Sequence, residues 1–466
     1  MGAIDAVPEP DLLVVGHRVV TVDPAREVLV DAAVAVTDGR ISDIGGAGEL
    51  TARHPGTPVV GGPDAIVVPG YVNCHQHLTG DRLLRSAIPD DIEGHVAIFD
   101  WAVPAHAHHT GDDDEVTALA GLAEAVANGY TTTIEAGTVA HPDRVAAAAR
   151  AVGARVTIGT WGWDVDDAPF AAPPDEVLAR QEAVLAANPP GGLVTGWVTL
   201  VGHDLMSDEL VTRASALAAE RGVGLTFHIS PSDRDAASYL ERHGVRPLVH
   251  LERLGALGPH VLLAHAVHLD DEEIAVLERT SSAVAYCPWA YLRLASGVTG
   301  AGRHVEMLRR GIRVGLGCDA ENAGDAIDPL RTAAVVAGLA KDVARDPAAL
   351  TAHAVFEMST IGGAAAIGMA DEIGSIEVGK QADLVIHDGT RIELNPLADD
   401  VVNQLVWATD GRSVSDVIVA GRPVVADGVC TTVDGAELRD RLATAAADHA
   451  RRAGLPVTAR WPLRTV

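Results

Sequence analysis

The sequence predicts an α/β protein in which a TIM-type (β/α)8 barrel is joined to a small composite β-sandwich domain built from both chain ends. Two patterns indicate this architecture. Over residues 67–369, short apolar segments alternate with alanine-rich helical segments, as expected for parallel strands connected by helices. The flanking stretches instead carry valine-rich runs broken at Asp-Gly and Gly, which is typical of short antiparallel strands joined by tight turns.

The order of these patterns divides the chain into four segments. Residues 1–66 and 370–435 are expected to form the two parts of the β-sandwich, residues 67–369 the barrel, and residues 436–466 a C-terminal helix and tail. A doubly wound sheet is the alternative arrangement for the central segment. The barrel is favoured because His228, His265 and Asp319 each close an apolar strand, and a barrel gathers the carboxyl ends of its strands on one face.

The net charge and composition of the chain exclude several classes of binding partner. The 466 residues carry a formal net charge of −29, which repels nucleic acid and anionic lipid, so neither is expected to bind. The apolar runs are too short for a membrane span, and the acidic first residues do not resemble a signal peptide. Four scattered cysteines suit a reducing cytoplasm. We therefore expect a cytoplasmic protein whose partner is a small molecule or another copy of the chain.

The strongest local signal lies where residues 67–77 read VVPGYVNCHQH. His75 and His77 are two residues apart at the end of a strand, so their side chains point the same way and can hold one cation. Such a pair alone is a weak signal in a chain with 20 histidines. The signal is stronger because His228, His265 and Asp319 are expected on the same barrel rim. Three imidazoles and one carboxylate around an open position are typical of a catalytic metal site.

Several stretches together resemble the amidohydrolase superfamily, and within it the cytosine deaminase-like branch that includes triazine hydrolases. The stretches are PGYVNCHQH at 69–77, HAVHLDDEEI at 265–274, LASG at 294–297, GLGCD at 315–319 and GSIEVGKQADLV at 374–385. The resemblance covers nearly the whole chain. It implies that His75, His77, His228 and Asp319 are metal ligands, that His265 carries a proton in catalysis, and that the protein is a homo-oligomer.

One divalent metal ion per subunit is expected, and zinc, cobalt, manganese and iron all suit imidazole and carboxylate ligands. Such an ion lowers the pKa of its bound water towards ~7 and so supplies hydroxide. Asp319 would accept and deliver the proton, while His265 would polarise the group under attack. Relatives with two ions commonly bridge them through a carboxylated lysine. Lys341 and Lys380 are the only lysines, and neither lies between the second and third predicted ligands, so a single ion is predicted.

Pro231 departs from the pattern that this branch implies. Its deaminases and triazine hydrolases typically carry a glutamate three residues after the histidine of strand five, where it protonates a ring nitrogen, whereas here the segment is His228-Ile-Ser-Pro231. Proline has no acid to offer. An acyclic carbonyl does not need that acid, because the metal and His265 stabilise charge on its oxygen. The departure favours hydrolysis of a carbamate, thiocarbamate or N-substituted urea, with molinate and phenylurea hydrolases as the nearest relatives.

Two other functions stay open at this point. One is an aminohydrolase or chlorohydrolase of a nitrogen heterocycle such as a triazine or purine, in which another group replaces the missing acid. The other is a structural protein that has lost its metal. The complete set of predicted ligands argues against this function.

Residues in the loops at the barrel rim are candidates for contact with the substrate. Because several of them are aromatic, we expect a small apolar substrate. The candidates are Trp101, Trp161, Trp163, His203, Trp289 and Asn322. Each tryptophan could equally well belong to the core. His203 could equally well lie on the surface. The neighbouring His106, His108 and His109 are interpreted as solvated loop residues.

Overall fold

The chain begins with four strands that belong to a mixed sheet. In the computed structural model, residues 9–85, 87–165, 168–455, 461–462 and 464–465 are described. The first four strands are β1 Leu12–Val20, β2 Val28–Thr37, β3 Arg40–Gly46 and β4 Val59–Pro69. Valine, isoleucine and alanine dominate their buried positions, as expected for pleated strands that pack on both faces.

The central part of the chain forms a ring of parallel strands. These strands are β5 Tyr71–Gln76, β6 Tyr130–Glu135, β7 Arg155–Ile158, β8 Val194–Gly196, β9 Val198–Gly202, β10 Leu225–Ile229, β11 Val261–His265, β12 Ala283–Tyr286 and β13 Val314–Leu316. Strands β5 to β8 pair in order, and so do β9 to β13. Only Trp197 separates β8 from β9, so the two segments act as one strand of an eight-stranded barrel.

Backbone hydrogen bonds close the ring on both sides of these two runs. Trp197 N donates to Ile158 O at 2.9 Å, which joins the fourth strand position to β7. On the other side, Cys318 N and Asp319 N both donate to His75 O, at 3.0 and 2.9 Å. The last strand of the barrel therefore lies beside the first.

Helices surround the ring, and several shorter ones cover its mouth. The α-helices are Ala47–Arg53, Gly94–Val96, Val103–His106, Gly111–Ala127, Pro142–Val152, Pro174–Ala187, Asp208–Arg221, Arg234–His243, Pro247–Arg253, Asp271–Thr280, Pro288–Arg293, Val298–Ala301, His304–Arg309, Pro329–Ala344, Ala352–Ser359, Ile361–Ala366, Val401–Ala408 and Gly435–Ala453. A π-helical segment spans Ala97–Ala102, and 3-10 turns span Asp81–Leu84, Ile392–Leu394 and Gly411–Ser413. None of the helices in the described residues is long and apolar enough to cross a membrane.

The two chain ends meet in one β domain. The last strands are β14 Leu384–Asp388, β15 Val414–Val419, β16 Arg422–Ala426 and β17 Val429–Cys430. Strand β14 pairs antiparallel with β4, which gives an eight-stranded sheet in the order β17-β16-β15-β14-β4-β1-β2-β3. The predicted combination of a barrel with a composite β domain from both ends is confirmed. The exact limits of the four segments stay a prediction.

The sheet packs on the barrel through alternate side chains of β4. Ala65 and Val67 belong to an apolar cluster on the outer face of the sheet, whereas Ile66 and Val68 belong to the large core that fills the barrel and its helices. This period of two is what a strand buried on both faces requires. Because β4 leads through Gly70 directly into β5, the packing also fixes where the first barrel strand begins.

A buried ion pair joins the barrel to the sheet. Arg155 opens β7, and its Nε and Nη2 donate to the two carboxylate oxygens of Asp383 at 3.0 and 3.1 Å. Asp383 Oδ1 also accepts from Ala420 N at 2.7 Å. Both charged side chains are nearly inaccessible to water, so each one depends on the other for its stabilisation.

We expect Asp383→Ala to lower the free energy of unfolding by roughly 3–5 kcal/mol, because it leaves the Arg155 guanidinium buried and unpaired. Asp383→Asn should lie between the wild type and the alanine variant, because its amide oxygen can still accept hydrogen bonds. Chemical denaturation followed by circular dichroism measures both changes. Glu209→Ala, which breaks an exposed pair with Arg213, is the control and should leave the curve nearly unchanged. Equal curves for Asp383→Ala and the control would contradict the role given to this pair.

Candidate metal centre and active site

Five polar side chains meet at the carboxyl ends of four barrel strands. His75 lies in β5 and His77 directly follows it, His228 lies in β10, His265 ends β11, and Asp319 follows β13. His77 Nε2 is 3.2 Å from His228 Nε2 and 3.4 Å from Asp319 Oδ1. His75 Nε2 is 3.8 Å from Asp319 Oδ1, and His265 Nδ1 is 3.9 Å from Asp319 Oδ2. The structure thus brings together all five residues predicted to form the centre.

At this rim the backbone adopts a left-handed conformation that residues other than glycine rarely adopt. His203, Ser230, His265 and Asp319, each at or just past a strand end, have φ values of 56°, 49°, 80° and 64°. Left-handed backbone of this kind costs on the order of 1–3 kcal/mol per residue. Four such residues at strand ends make this rim a strained part of the fold.

Hydrogen bonds orient the rings of two of the predicted ligands. His228 Nδ1 lies 2.7 Å from Val201 O, and because a carbonyl only accepts, Nδ1 carries the hydrogen and the Nε2 lone pair faces the centre. His77 Nδ1 is 2.8 Å from Thr138 Oγ1, which leaves Nε2 of this ring on the same side. Such contacts to the second nitrogen are a general feature of metal-binding imidazoles.

The residues present fit a divalent metal ion. Both ring nitrogens of His75 and Nδ1 of His265 are buried without a hydrogen-bond partner, which is costly unless a cation supplies the missing interaction. One ligand atom from each of His75, His77 and His228 lies within 4.8 Å of the others, as does one from each of His75, His265 and Asp319. Neutral imidazoles and a carboxylate are the donors that zinc and similar ions prefer.

Electrostatics at the centre favour the same conclusion. Burial and the neighbouring imidazoles hold the pKa of His228 well below its ordinary value. Burial acts against ionisation of Asp319, but the nearby histidines hold its pKa well below the usual range. Burial also disfavours charged His77, yet Asp319 and Asp81 outweigh it and raise the pKa of His77 to about 9. A bound cation therefore competes with a proton on His77 and is favoured as pH rises.

A largely apolar cavity opens above the centre. Its apolar lining comes from the helical residues 97–103, from the loop after β7 and from the segment after β12, and includes Ile98, Phe99, Ala102, Val103, Trp161, Tyr291 and Leu294. Beside residues of the centre, the polar part of the lining consists of Asp81, His106, Thr138, His203, Ser296 and Asn322. A planar apolar molecule with a few hydrogen-bonding atoms suits such a pocket.

Three of the six predicted substrate contacts reach this cavity. Trp161, His203 and Asn322 are part of its lining. Asn322 Nδ2 donates to Asp81 Oδ1 at 2.8 Å, and His203 Nδ1 is 3.0 Å from Asp235 Oδ2. Each of these polar side chains is therefore held in place by a carboxylate from behind.

The other three predicted contacts, all tryptophans, lie outside the lining. Trp163 stacks behind Trp161 with ring centroids 5.2 Å apart, and its Nε1 donates to Pro169 O. Trp101 packs on a small apolar cluster beneath the helical segment that covers the mouth. Trp289 turns outward, where its Nε1 donates to Thr332 Oγ1. These side chains support the walls of the cavity and do not form its surface.

His106 is a cavity residue that the sequence interpretation missed. It was expected to be solvated, but it is 4% exposed, with Nε2 3.6 Å from Asp81 Oδ1 and its ring 4.7 Å from that of His109. The expectation was wrong for His106 and for the side chain of His109, which is also buried, whereas His108 is exposed. The reason is that residues 94–106 form consecutive helical turns over the barrel mouth. The apolar pair Ile98-Phe99 beside these histidines was the available signal.

The chain belongs to the amidohydrolase family, which matches residues 66–424. Residues 32–56 also match the imidazolonepropionase-like composite domain of bacteria. The 5-methylthioadenosine/S-adenosylhomocysteine deaminase of Syntrophobacter fumaroxidans is 31% identical over 436 residues, which are 93% of this chain and 97% of that protein. The enzyme of the same name from Moorella thermoacetica is 32% identical over 418 residues, 88% of this chain and 94% of that protein.

Solved structures agree with this assignment. An adenosine deaminase of Xanthomonas campestris with bound zinc superposes with a TM-score of 0.88 at 30% identity, covering 96% of this chain and 100% of that one. Atrazine chlorohydrolase of Arthrobacter aurescens complexed with zinc gives a TM-score of 0.84 at 23% identity over 93% of this chain and 100% of that one, which shows the shared fold.

The protein is therefore a metal-dependent hydrolase of the amidohydrolase family that acts on C–N bonds. The relatives and structural neighbours named above include deaminases and a triazine hydrolase, and the expected closeness to molinate and phenylurea hydrolases is not supported. The expectation of a homo-oligomer stays a prediction.

We expect His75→Ala and Asp319→Ala to lose the tightly held metal ion and nearly all turnover, because each removes a ligand from a buried set. Metal content after gel filtration, measured by plasma mass spectrometry, should fall from about one ion per chain to near zero. His353→Ala removes a histidine whose side chain is 55% exposed and is the matched control. Full metal content in both ligand variants would contradict the assignment of the centre.

Trp161→Ala should raise KM for the substrate by roughly 10–100-fold, because the indole is 2% exposed and forms an apolar wall worth about 1.5–3 kcal/mol. The bound metal should stay, since Trp161 lies outside the ligand set. Steady-state kinetics together with metal analysis separates the two effects. Trp407→Ala, at a position 46% exposed, should leave KM unchanged, and an unchanged KM for Trp161→Ala would remove this side chain from the substrate pocket.

Proposed function

We propose that the protein is an aminohydrolase that removes an exocyclic amino group from a nitrogen heterocycle, with an adenine-type purine as the leading substrate class. The observation that carries the proposal is the cluster of five polar residues, four of which line a mostly apolar cavity, in a chain similar over nearly its full length to deaminases. This replaces carbonyl hydrolysis of a carbamate or urea as the leading function.

The reaction exchanges a C–N bond for a C–O bond. Water adds to the ring carbon that carries the amino group, ammonia leaves, and a ring carbonyl remains. His75, His77, His228 and Asp319 would hold the ion, which supplies a water activated for attack. The carboxylate of Asp319 faces both the ligand side and His265, so it can take the proton from water and return it to the departing amine.

His265 is placed to stabilise charge that develops on the substrate. Its ring lies 5.3 Å from the ring of His228 and 5.6 Å from that of Tyr291, both measured between centroids. The carbonyl oxygen of His265 accepts a hydrogen bond from His304 Nε2 at 2.7 Å, which helps hold the strained backbone in place. A fixed donor at the point where charge appears lowers the barrier more than a mobile one does.

Other residues of the cavity lining are suited to recognise the heterocycle. Because Asp235 binds His203 Nδ1, Nε2 is the nitrogen of His203 that is left for a hydrogen bond to substrate. Trp161 and Phe99 offer flat apolar surfaces that suit an aromatic ring. Pro231 also lines the cavity, so the residue at the position of the expected glutamate shapes the cavity and offers no acidic group.

Pro231 favours a second candidate, hydrolysis of a carbamate, thiocarbamate or N-substituted urea. An acyclic carbonyl needs no proton on a ring nitrogen, and Asp319 with His265 would serve it in the same way as a heterocycle. The products differ, since this reaction releases an organic amine or a thiol in place of ammonia.

Product analysis tests the two candidates in one assay. The zinc-loaded protein is given 5-methylthioadenosine, S-adenosylhomocysteine, adenosine, an aminotriazine, an N-aryl urea and a thiocarbamate, and ammonia, organic amine and thiol are followed together. We expect ammonia from at least one purine, at a rate that Asp319→Asn abolishes and His353→Ala preserves. Release of amine or thiol without ammonia would overturn the deaminase proposal in favour of carbonyl hydrolysis.

A further inference from the structure

A second group of metal-binding side chains lies where three helices meet outside the cavity. Asp208 is the first residue of the helix Asp208–Arg221, His243 is the last residue of Arg234–His243, and His250 lies in Pro247–Arg253. One ligand atom from each of the three residues lies within 4.8 Å of the other two. None of these residues lines the cavity or belongs to the centre described above.

Two direct contacts hold the three side chains of the group together. His250 Nε2 is 2.8 Å from Asp208 Oδ1. The rings of His243 and His250 stack with centroids 3.8 Å apart and an interplanar angle of 29°. Two imidazoles and one carboxylate thus converge from three separate helices, which is the donor set that zinc and other divalent transition metals prefer over magnesium or calcium.

Charge also favours a cation at this place. Two protonated imidazoles in contact repel each other, and burial together with the neighbouring His250 lowers the pKa of His243. Neutral His243 offers a lone pair, and Asp208 adds a negative charge.

Access from solvent is open on one side. The Asp208 side chain is 51% exposed, whereas that of His250 is 13% exposed. An ion can enter from the Asp208 side and keep water in its remaining coordination positions. With three protein ligands and an open side, the site should exchange its ion more readily than the buried centre.

We propose that Asp208, His243 and His250 form a second, exchangeable site for a divalent transition-metal ion. The ion ties the start of the helix Asp208–Arg221 to the end of Arg234–His243 and to the middle of Pro247–Arg253. The ring of Tyr239 lies 5.3 Å from that of His243 and 5.8 Å from that of His250, and its hydroxyl donates to His203 O at 3.0 Å. A metal at this site therefore steadies a side chain that also supports the wall of the cavity.

Zinc titration of the loaded enzyme tests the proposal without reference to activity. Protein carrying its tightly held ion is freed of loose metal by gel filtration and titrated with zinc chloride in an isothermal calorimeter. We expect one additional ion per chain in the wild type and in His353→Ala, and loss of that ion in both His243→Gln and His250→Gln. Retention of the tight ion in each variant shows that it has folded.

Two results would overturn the proposal: no additional ion in the wild type, or an additional ion that persists in either glutamine variant. A shift in thermal midpoint gives a second readout, since an ion that binds only the folded state raises the midpoint as its concentration rises. That rise should be present in the wild type and absent from both variants.

Discussion

Closure of the barrel between its first and last strands is the constraint on which the site depends. His75 and His77 come early in the chain, Asp319 comes after most of the barrel has been traversed, and the two regions meet because Cys318 N and Asp319 N both donate to His75 O. Parallel strands in a closed ring place all their carboxyl ends on one rim. The remaining predicted ligand, His228, enters on the opposite side through β10. A break at the seam between β5 and β13 would separate the carboxylate from the imidazoles even if every strand survived.

The centre also illustrates how function and stability oppose each other within one core. His75 is buried with two ring nitrogens that have no hydrogen-bond partner, and His265 and Asp319 adopt left-handed backbone. Both features cost stability in a core that could have been filled with apolar side chains. A bound cation offsets part of that loss of stability because it coordinates imidazole nitrogens that otherwise lack a partner. Metal binding and folding are therefore coupled. The large apolar core beneath the rim and the Arg155–Asp383 pair provide the rigidity that keeps the strained residues in place.

Much of the fold and of the candidate metal centre could be predicted from the sequence because both depend on local sequence patterns. The spacing of His75 and His77, and the polar residues His228, His265 and Asp319 at the ends of apolar strands, are sufficient to bring the predicted ligands together once the strands form a barrel. The cavity wall could not be predicted in the same way. Whether Trp161 or Trp163 faces the substrate depends on how the loop after β7 packs, and the burial of His106 depends on helical turns that cross the barrel mouth. Those placements are set by tertiary contacts that leave no periodic signal in the sequence.

The central claim is that three imidazoles and the Asp319 carboxylate hold one ion on the barrel rim. Burial raises the pKa of Cys74 and Cys318 to about 12, so these nearby thiols should stay protonated and take no part. Zinc K-edge X-ray absorption of the His250→Gln protein, in which the proposed second site lacks one ligand, reports the neighbours of the ion in the buried centre. We expect nitrogen and oxygen neighbours at about 2.0–2.1 Å with the multiple scattering of imidazole. Sulfur neighbours near ~2.3 Å, or a spectrum that is the same after His75→Ala, would contradict it.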